Sequence, residues 1–200
     1  MLSVLLIETQ GIHDLESSSE DSSIIFALSL LISSAKIYNT LQYLSTSEID
    51  ELNALFAFSQ MKDGNAKLGQ NFLLLLRDTV GKTGIEGGKE YLEHLKENVQ
   101  NNNGTNKFVE CLDECFDRVD CFRVPRPSRL VMDGVDGGMK AEQCGEEFLR
   151  TISECANFVL ETLTAKMVGN DCLTGESFKA HVKHVVEHFS HRSANAKSVI

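Results

Sequence analysis

Short apolar runs recur along the chain and alternate with segments that have the periodicity of an amphipathic helix. An unbroken apolar run predicts a buried strand, because helices cover both faces of a parallel sheet. Four strands are predicted in this way, at Ser3–Ile7, Lys36–Thr40, Phe72–Leu76 and Val119–Val124. Alternating strands and helices predict an α/β fold, in which helices flank a sheet and a helical portion follows at the C-terminal end.

Capping residues and apolar spacing predict where the helices lie. Ser22 or Ser23 is expected to cap a helix over Ile24–Leu31. Ser47 is expected to cap the next helix, whose apolar face carries Ile49, Leu52, Leu55 and Phe56. Further helices are predicted over Lys89–Val99, Lys107–Phe116 and Ala141–Lys166, and from Thr174, paired with Ser177, to about Phe189. The Gly-rich stretch Thr79–Gly88 is expected to be a loop, and residues 190–200 a frayed tail.

The composition fits one domain and excludes several kinds of partner. The chain is 42% apolar, and its 29 acidic and 19 basic residues give a net charge of −10. Nucleic acid is not expected as a partner, because its phosphates require basic residues. No apolar stretch reaches the roughly 18 residues of a membrane span, and Glu8 ends the first apolar run too early for a signal peptide. The six cysteines are expected to be reduced, in a cytoplasmic protein.

Two polar clusters follow predicted strands: Glu8-Thr9-Gln10-Gly11 and Arg77-Asp78. In open α/β sheets, ligands bind at the carboxyl ends of the strands. A carboxylate such as Glu8 can hold Mg²⁺ through water, and a glycine lets a backbone N–H approach a phosphate. Taken alone, however, the first cluster is more simply a polar turn after a strand, and the second a strand-end salt bridge or turn cap.

The order of several short motifs is more specific than any one of them. After Glu8-Thr9-Gln10-Gly11 come Ile25-Phe26-Ala27-Leu28, Tyr38-Asn39, Leu76-Arg77-Asp78, Cys121-Phe122 and Arg126-Pro127. This succession resembles the large GTPase domain of guanylate-binding proteins and atlastins, in the dynamin-like group. The resemblance covers roughly residues 3 to 190, more loosely after Arg129, and implies part of a P-loop-GTPase-type sheet.

The resemblance implies that the family binds GTP with Mg²⁺, hydrolyses GTP and often forms a homodimer through its GTPase domains. Asp78 matches the carboxylate that recognises guanine, with Arg77 flanking the base. A carboxylate can accept two parallel hydrogen bonds, from guanine N1–H and the 2-amino group. Gly11 matches the glycine that senses the γ-phosphate in a switch loop, Gln10 lies beside it, and Glu8 matches the metal-linked carboxylate.

The chain departs from the family pattern in two ways. Glu8 and Gln10 stand where the family has Asp and Glu, and octahedral Mg²⁺ tolerates a displaced carboxylate poorly. The 200 residues also contain no Gly-x-x-x-x-Gly-Lys-Ser/Thr motif; Gly81-Lys82-Thr83 lacks the earlier glycine, because that position is Leu76. Residues 1–200 are therefore expected to be a partial GTPase domain without P-loop and first switch, inactive by itself. The alternative is a non-enzymatic pseudo-GTPase remnant that acts through protein contacts.

One competing motif indicates a different chemistry. His184-Val185-Val186-Glu187-His188 matches the H-x-x-E-H pattern of inverted zinc peptidases. That pattern needs a further acidic ligand downstream, and no Asp or Glu follows Glu187. A surface helix with histidines along one face is the simpler interpretation.

Overall fold

The computed structural model describes residues 3–9, 19–60, 67–97, 103–132 and 140–197. The strands are β1 (Ala35–Leu41), β2 (Gly69–Thr79), β3 (Phe116–Pro125), β4 (Met167–Val168) and β5 (Asp171–Cys172). The helices are α1 (Ser19–Ile32), α2 (Thr46–Gln60), α3 (Gly84–Glu97), α4 (Asn103–Cys115), α5 (Arg129–Met132), α6 (Glu146–Thr162) and α7 (Gly175–Lys197), with a 3₁₀ turn at Ala141–Cys144 before α6.

The main sheet is parallel and has the order β1-β2-β3. Tyr38 of β1 pairs with Leu74 of β2, which pairs with Cys121 of β3. Each crossover between these strands contains at least one helix, as parallel pairing requires. The predicted α/β fold with flanking helices is confirmed, and β4 and β5 form only a small antiparallel hairpin.

Strand β2 is buried on both of its faces. Phe72, Leu74 and Leu76 face a core built with α1, α2 and α4. Phe56 lies at the centre of this core. Its ring centroid is 5.6 to 6.3 Å from the ring centroids of four other phenylalanines, Phe26, Phe72, Phe108 and Phe116. Leu73 and Leu75 face a second core, which α6 forms with β3. The central strand is thus the element on which both cores are built.

The predicted apolar face of α2 is confirmed, but its predicted cap is not. Ile49, Leu52, Leu55 and Phe56 are all buried. The cap is Ser45, whose N–H donates to Glu48 Oε2 (2.8 Å) while its Oγ accepts from the Glu48 N–H (3.3 Å). This reciprocal capping box satisfies two backbone donors at the start of the helix, which explains why Ser47 is not used.

Several helices begin earlier than the sequence predicts. Helix α1 begins at Ser19, so Ser22 and Ser23 lie inside it, and α4 begins at Asn103 rather than at the predicted Lys107. Burial of the following apolar residues, such as Phe108, outweighs the low helix propensity of Asn and Gly. At α7, Thr174 and Ser177 exchange hydrogen bonds as predicted, and the helix continues to Lys197.

The predicted long helix over Ala141–Lys166 is wrong at both ends. Gly145, with φ of 95°, separates the 3₁₀ turn from α6. Beyond α6, Leu163 is extended, and the connector that follows is bound to the start of β2. Gln70 Nε2 donates to the carbonyl oxygen of Ala165 (2.8 Å), and Asn71 Nδ2 donates to that of Thr162 (3.3 Å). These contacts hold the end of α6 against the sheet.

Residues 3–9 differ most from prediction, because they form no strand and are exposed over Val4–Ile7. An apolar run predicts that a segment needs covering, but it does not specify the surface that covers it. Glu8 lies in this segment, whereas Gln10 and Gly11 lie outside the described residues. Within the described part of the chain, no helix has both the length and the apolar character needed to cross a bilayer, and all six cysteines are free thiols.

Helix α3 lies along the outer edge of β3, in backbone contact with it. A backbone bridge joins Gly84, the first residue of α3, to Arg123 of β3. Because the helix begins at Gly84, the predicted loop over Thr79–Gly88 is wrong beyond Thr83. A Cβ atom at Gly88 would lie 1.7 Å from the Cys121 carbonyl oxygen, and one at Gly87 2.1 Å from that of Lys82. Gly88 therefore permits an approach of α3 to β3 that no side chain would allow, and Gly87 permits α3 to lie against the turn that precedes it.

We expect Gly88→Ala to destabilise the domain by about 3 kcal/mol or more, since the added methyl can fit only if α3 and β3 separate. Gly175→Ala is the matched control, because a Cβ there meets nothing within 4 Å. Urea unfolding would measure both variants. Equal stabilities for the two would contradict the backbone contact.

One flank of α6 remains uncovered in the described part of the chain. Phe148, Cys155 and Val159 face the sheet, whereas Ile152 and Leu160 are 40% and 59% exposed. On β1, Ile37 and Leu41 are also exposed. Exposed apolar groups of this size are typical of association surfaces.

We therefore expect the 200-residue chain to self-associate. Replacing both Ile152 and Leu160 with lysine should reduce the association, whereas lysine at Val168, an exposed apolar residue on β4, should not. Sedimentation velocity would compare the three proteins. A wild-type chain that is a monodisperse monomer with a sharp thermal transition would count against this expectation.

Candidate functional site

The three strands of the main sheet end at the same edge. Leu41 pairs with Arg77, and Thr79 pairs with Pro125, so the ends of β1, β2 and β3 lie side by side. The residues that follow or complete these strands are Gln42, Asp78 and Arg126. This is the edge at which an open α/β sheet binds its ligands.

Asp78 has an unusual backbone conformation. Its φ is 55°, in the left-handed region, where a residue with a side chain is uncommon. The ladder is irregular at the same place. From Leu76 to Thr79 there are three steps on β2 (79 − 76), against two from Arg123 to Pro125 on β3 (125 − 123). One extra residue on β2 makes this a β-bulge, a feature often found beside active sites.

The side chains of Arg77 and Asp78 have no ion-pair or hydrogen-bond partner among the described residues. Arg77 is exposed and Asp78 is partly buried. The salt bridge and the turn cap that the sequence left open for this pair are therefore not formed there. The Asp78 carboxylate keeps both of its oxygens available to accept hydrogen bonds from a ligand.

Three hydrogen bonds fix the backbone around Asp78. The Arg77 carbonyl accepts the Gln42 N–H (2.7 Å), and Thr79 Oγ1 donates to the Val124 carbonyl (3.0 Å). One residue further on, Arg123 Nη2 donates to the Val80 carbonyl (2.8 Å). The peptide before Asp78 is thus held by a backbone hydrogen bond, and the residue after it is held by its side chain and by its ladder pairing with Pro125.

Sequence reasoning missed Gln42, Thr79 and Arg123 as parts of this site. Gln42 also has a left-handed backbone, with φ of 61°. A glutamine after a strand and a threonine after an Arg-Asp pair give no signal by themselves. The proline at position 125 is the one available clue, because it signals a strand end that lacks a backbone donor.

The phosphate-side residues are only partly described. Glu8 is exposed, and no partner of its carboxylate is found in the described residues. Mg²⁺ is commonly held by one or two carboxylates together with water and phosphate oxygens. A free carboxylate fits that need, but the described residues contain no cluster of three or more metal-binding side chains. Gln10 and Gly11 remain predictions.

The two rival motifs have other contacts. Leu76 is fully buried within β2, and Lys82 Nζ pairs with Glu90 (2.5 Å), a hydrogen bond that raises the pKa of Lys82. Gly81-Lys82-Thr83 is thus a turn between β2 and α3. On α7, Glu187 lies 3.8 Å from Lys183, and the His181 ring contacts the Leu31 carbonyl of α1 (3.1 Å). The described part of this helix packs against α1 and forms no metal cluster.

A small cavity of about 100 Å³ lies among α3, α4 and β3. Leucine and valine side chains line it, and Lys96 and Asp113 approach each other at its rim (3.8 Å). It adjoins Val119, near the start of β3, and so lies away from the edge where the strands end. The cavity is too small for a nucleotide. A wider depression of about 350 Å³ between α2 and α4, lined by Asn53 and Glu114 among others, contains none of the predicted site residues.

A three-stranded parallel sheet flanked by helices makes this an α/β protein. Comparison with known proteins then gives the family. The family described as "Guanylate-binding protein, N-terminal domain" matches residues 1–168. Atlastin-1 of Bos taurus and Atlastin-2 of Homo sapiens are each 28% identical over 195 residues, and Atlastin-2 of Xenopus laevis is 27% identical.

The chain therefore belongs to the guanylate-binding protein family of large GTPase domains. The matches cover 91% of the chain but only 35%, 33% and 34% of the three relatives. The chain thus spans about a third of their length. The predicted resemblance is confirmed. Asp78 is the penultimate residue of β2, and its role in guanine recognition stays a prediction.

Proposed function

We propose that this chain contains the guanine-recognising part of a GTP-binding and GTP-hydrolysing domain, with Asp78 as the base-specific group. The observation that carries the proposal is the carboxylate of Asp78, which has no partner among the described residues and belongs to a left-handed residue near the end of the buried strand β2. Such a conformation costs free energy, and residues in this state are concentrated at functional sites. Guanine offers N1–H and the 2-amino group to one carboxylate, whereas adenine presents no such pair of donors.

The remaining roles follow from the family resemblance. Arg77 flanks the base, Gly11 offers its backbone N–H to the γ-phosphate, and Gln10 stands beside it in the switch loop. Glu8 is the residue that would hold Mg²⁺, which supplies charge neutralisation for the phosphates when bound. Such a domain acts in the cytoplasm and forms a homodimer through its GTPase surfaces.

The 200 residues by themselves lack the groups that stabilise a transferring phosphoryl group. Phosphoryl transfer depends on positioning and on charge stabilisation around the β- and γ-phosphates. A P-loop lysine and its neighbouring N–H groups supply much of both, and no such motif occurs between Met1 and Ile200. Glu8 and Gln10 further depart from the family residues at the metal and switch positions. This polypeptide is therefore proposed to be inactive alone.

We expect the purified 200-residue chain to release phosphate from GTP and Mg²⁺ no faster than its Asp78→Ala variant. Without a phosphate cradle, the base contact has no anchored triphosphate on which to act. A continuous phosphate-release assay would compare the two proteins. Turnover clearly above the variant would refute this account, since it would require a phosphate site other than a P-loop.

We expect the chain to bind GMP more tightly than AMP, and Asp78→Asn to remove that preference. The substitution places a donor opposite a guanine donor, at a cost of about 1–3 kcal/mol. Titration followed by NMR would measure both nucleotides, with Asp171→Asn on β5 as the control. Equal binding of GMP and AMP by the wild type would support the non-enzymatic remnant that acts through protein contacts.

A further inference from the structure

We propose that Thr79 is a positioning residue that holds Asp78 in its left-handed conformation and thereby sets the specificity for guanine. The proposal rests on the proposed function of Asp78 and adds the device that fixes its carboxylate. Thr79 is buried, follows Asp78 directly, and has its hydroxyl bound to the Val124 carbonyl of the neighbouring strand.

The conformation of Asp78 needs an external cause. A left-handed backbone is unfavourable for a residue with a Cβ, although aspartate tolerates it better than most. A side-chain hydrogen bond to the local backbone could offset the cost, but the Asp78 carboxylate makes none to the described residues. The cause therefore lies in the residues on either side.

Thr79 is where β2 resumes its pairing with β3 after the bulge. Its partner in the ladder is Pro125. In a parallel ladder a residue bonds to the residues on either side of its partner, so this pairing does not require an N–H from Pro125. The Thr79 hydroxyl adds a side-chain hydrogen bond to the carbonyl of Val124, the preceding residue of β3. Thr79 is thus bound to β3 by its side chain as well as by the ladder.

The other side of Asp78 is held independently. The Arg77 carbonyl accepts the Gln42 N–H at the end of β1, so the peptide before Asp78 is fixed to one neighbouring strand. Thr79, the residue after Asp78, is bound to β3, the other neighbouring strand. Asp78 lies between these two fixed points, and its positive φ accommodates the extra residue of the bulge.

This arrangement matters for specificity because two parallel hydrogen bonds to a base edge require a carboxylate of fixed direction. If Thr79 no longer held the bulge, Asp78 would relax to a negative φ and its side chain would point elsewhere. Guanine preference would then be lost although the carboxylate remained.

A double-mutant cycle tests the backbone effect without any nucleotide. In the wild type, Asp78→Gly should raise the folding equilibrium constant by about three- to tenfold, because glycine is unstrained at positive φ. In a Thr79→Val background the same change should give no increase. Urea unfolding would measure the four proteins. An equal increase in both backgrounds would overturn the proposal.

Two further variants keep the test decisive. Thr79→Ser retains the hydroxyl and should behave as the wild type in the cycle. If Thr79→Val does not fold, Thr79→Cys replaces it, since a thiol of similar size is only a weak donor. A Thr79→Cys background in which Asp78→Gly still gives the full increase would likewise overturn the proposal.

The specificity effect is measured with GMP and AMP on the same proteins. Thr79→Val should lose the preference for GMP and Thr79→Ser should keep it. A Thr79→Val protein with the wild-type preference would overturn the positioning role. A wild type with no preference would refute the base-recognition function of Asp78, and the unfolding cycle would still decide whether Thr79 holds the bulge.

Discussion

Burial of β2 on both faces is the constraint on which the rest of the structure depends. Its five apolar residues, Phe72–Leu76, supply side chains alternately to the core around Phe56 and to the core beneath α6. Pairing with β1 and β3 satisfies the backbone hydrogen-bonding groups of β2. The strand therefore stays buried until its sequence becomes polar. The first polar residues, Arg77 and Asp78, therefore emerge at the carboxyl edge with a rigid strand behind them.

The sequence predicts this central part of the molecule well. An unbroken apolar run has one stable environment in an α/β fold, and the same reasoning finds the buried face of α2. The position of Asp78 at a strand end follows from the abrupt change in polarity after Leu76. Each of these features is encoded locally, in residues that are adjacent or one helical turn apart.

Other features depend on contacts that no local pattern records. The glycines of α3 suggest a loop, yet one of them, Gly88, permits the helix to touch the backbone of β3. The exposed segment Val4–Ile7 has the composition of a strand but no partner in the described part of the chain. The left-handed backbone of Asp78 coincides with a shift of register between β2 and β3, which no local sequence pattern records.

The position of α3 also determines at which edge of the sheet a further strand can pair. Because α3 covers the outer edge of β3, strand addition on that side would first require the helix to leave. In the described structure β1 has no neighbour on its far side, and its exposed side chains Ile37, Asn39 and Leu41 carry no charge that would repel an incoming strand. A strand that joined the sheet, from this chain or another, would thus pair with β1, and if parallel would bring its carboxyl end next to Gln42.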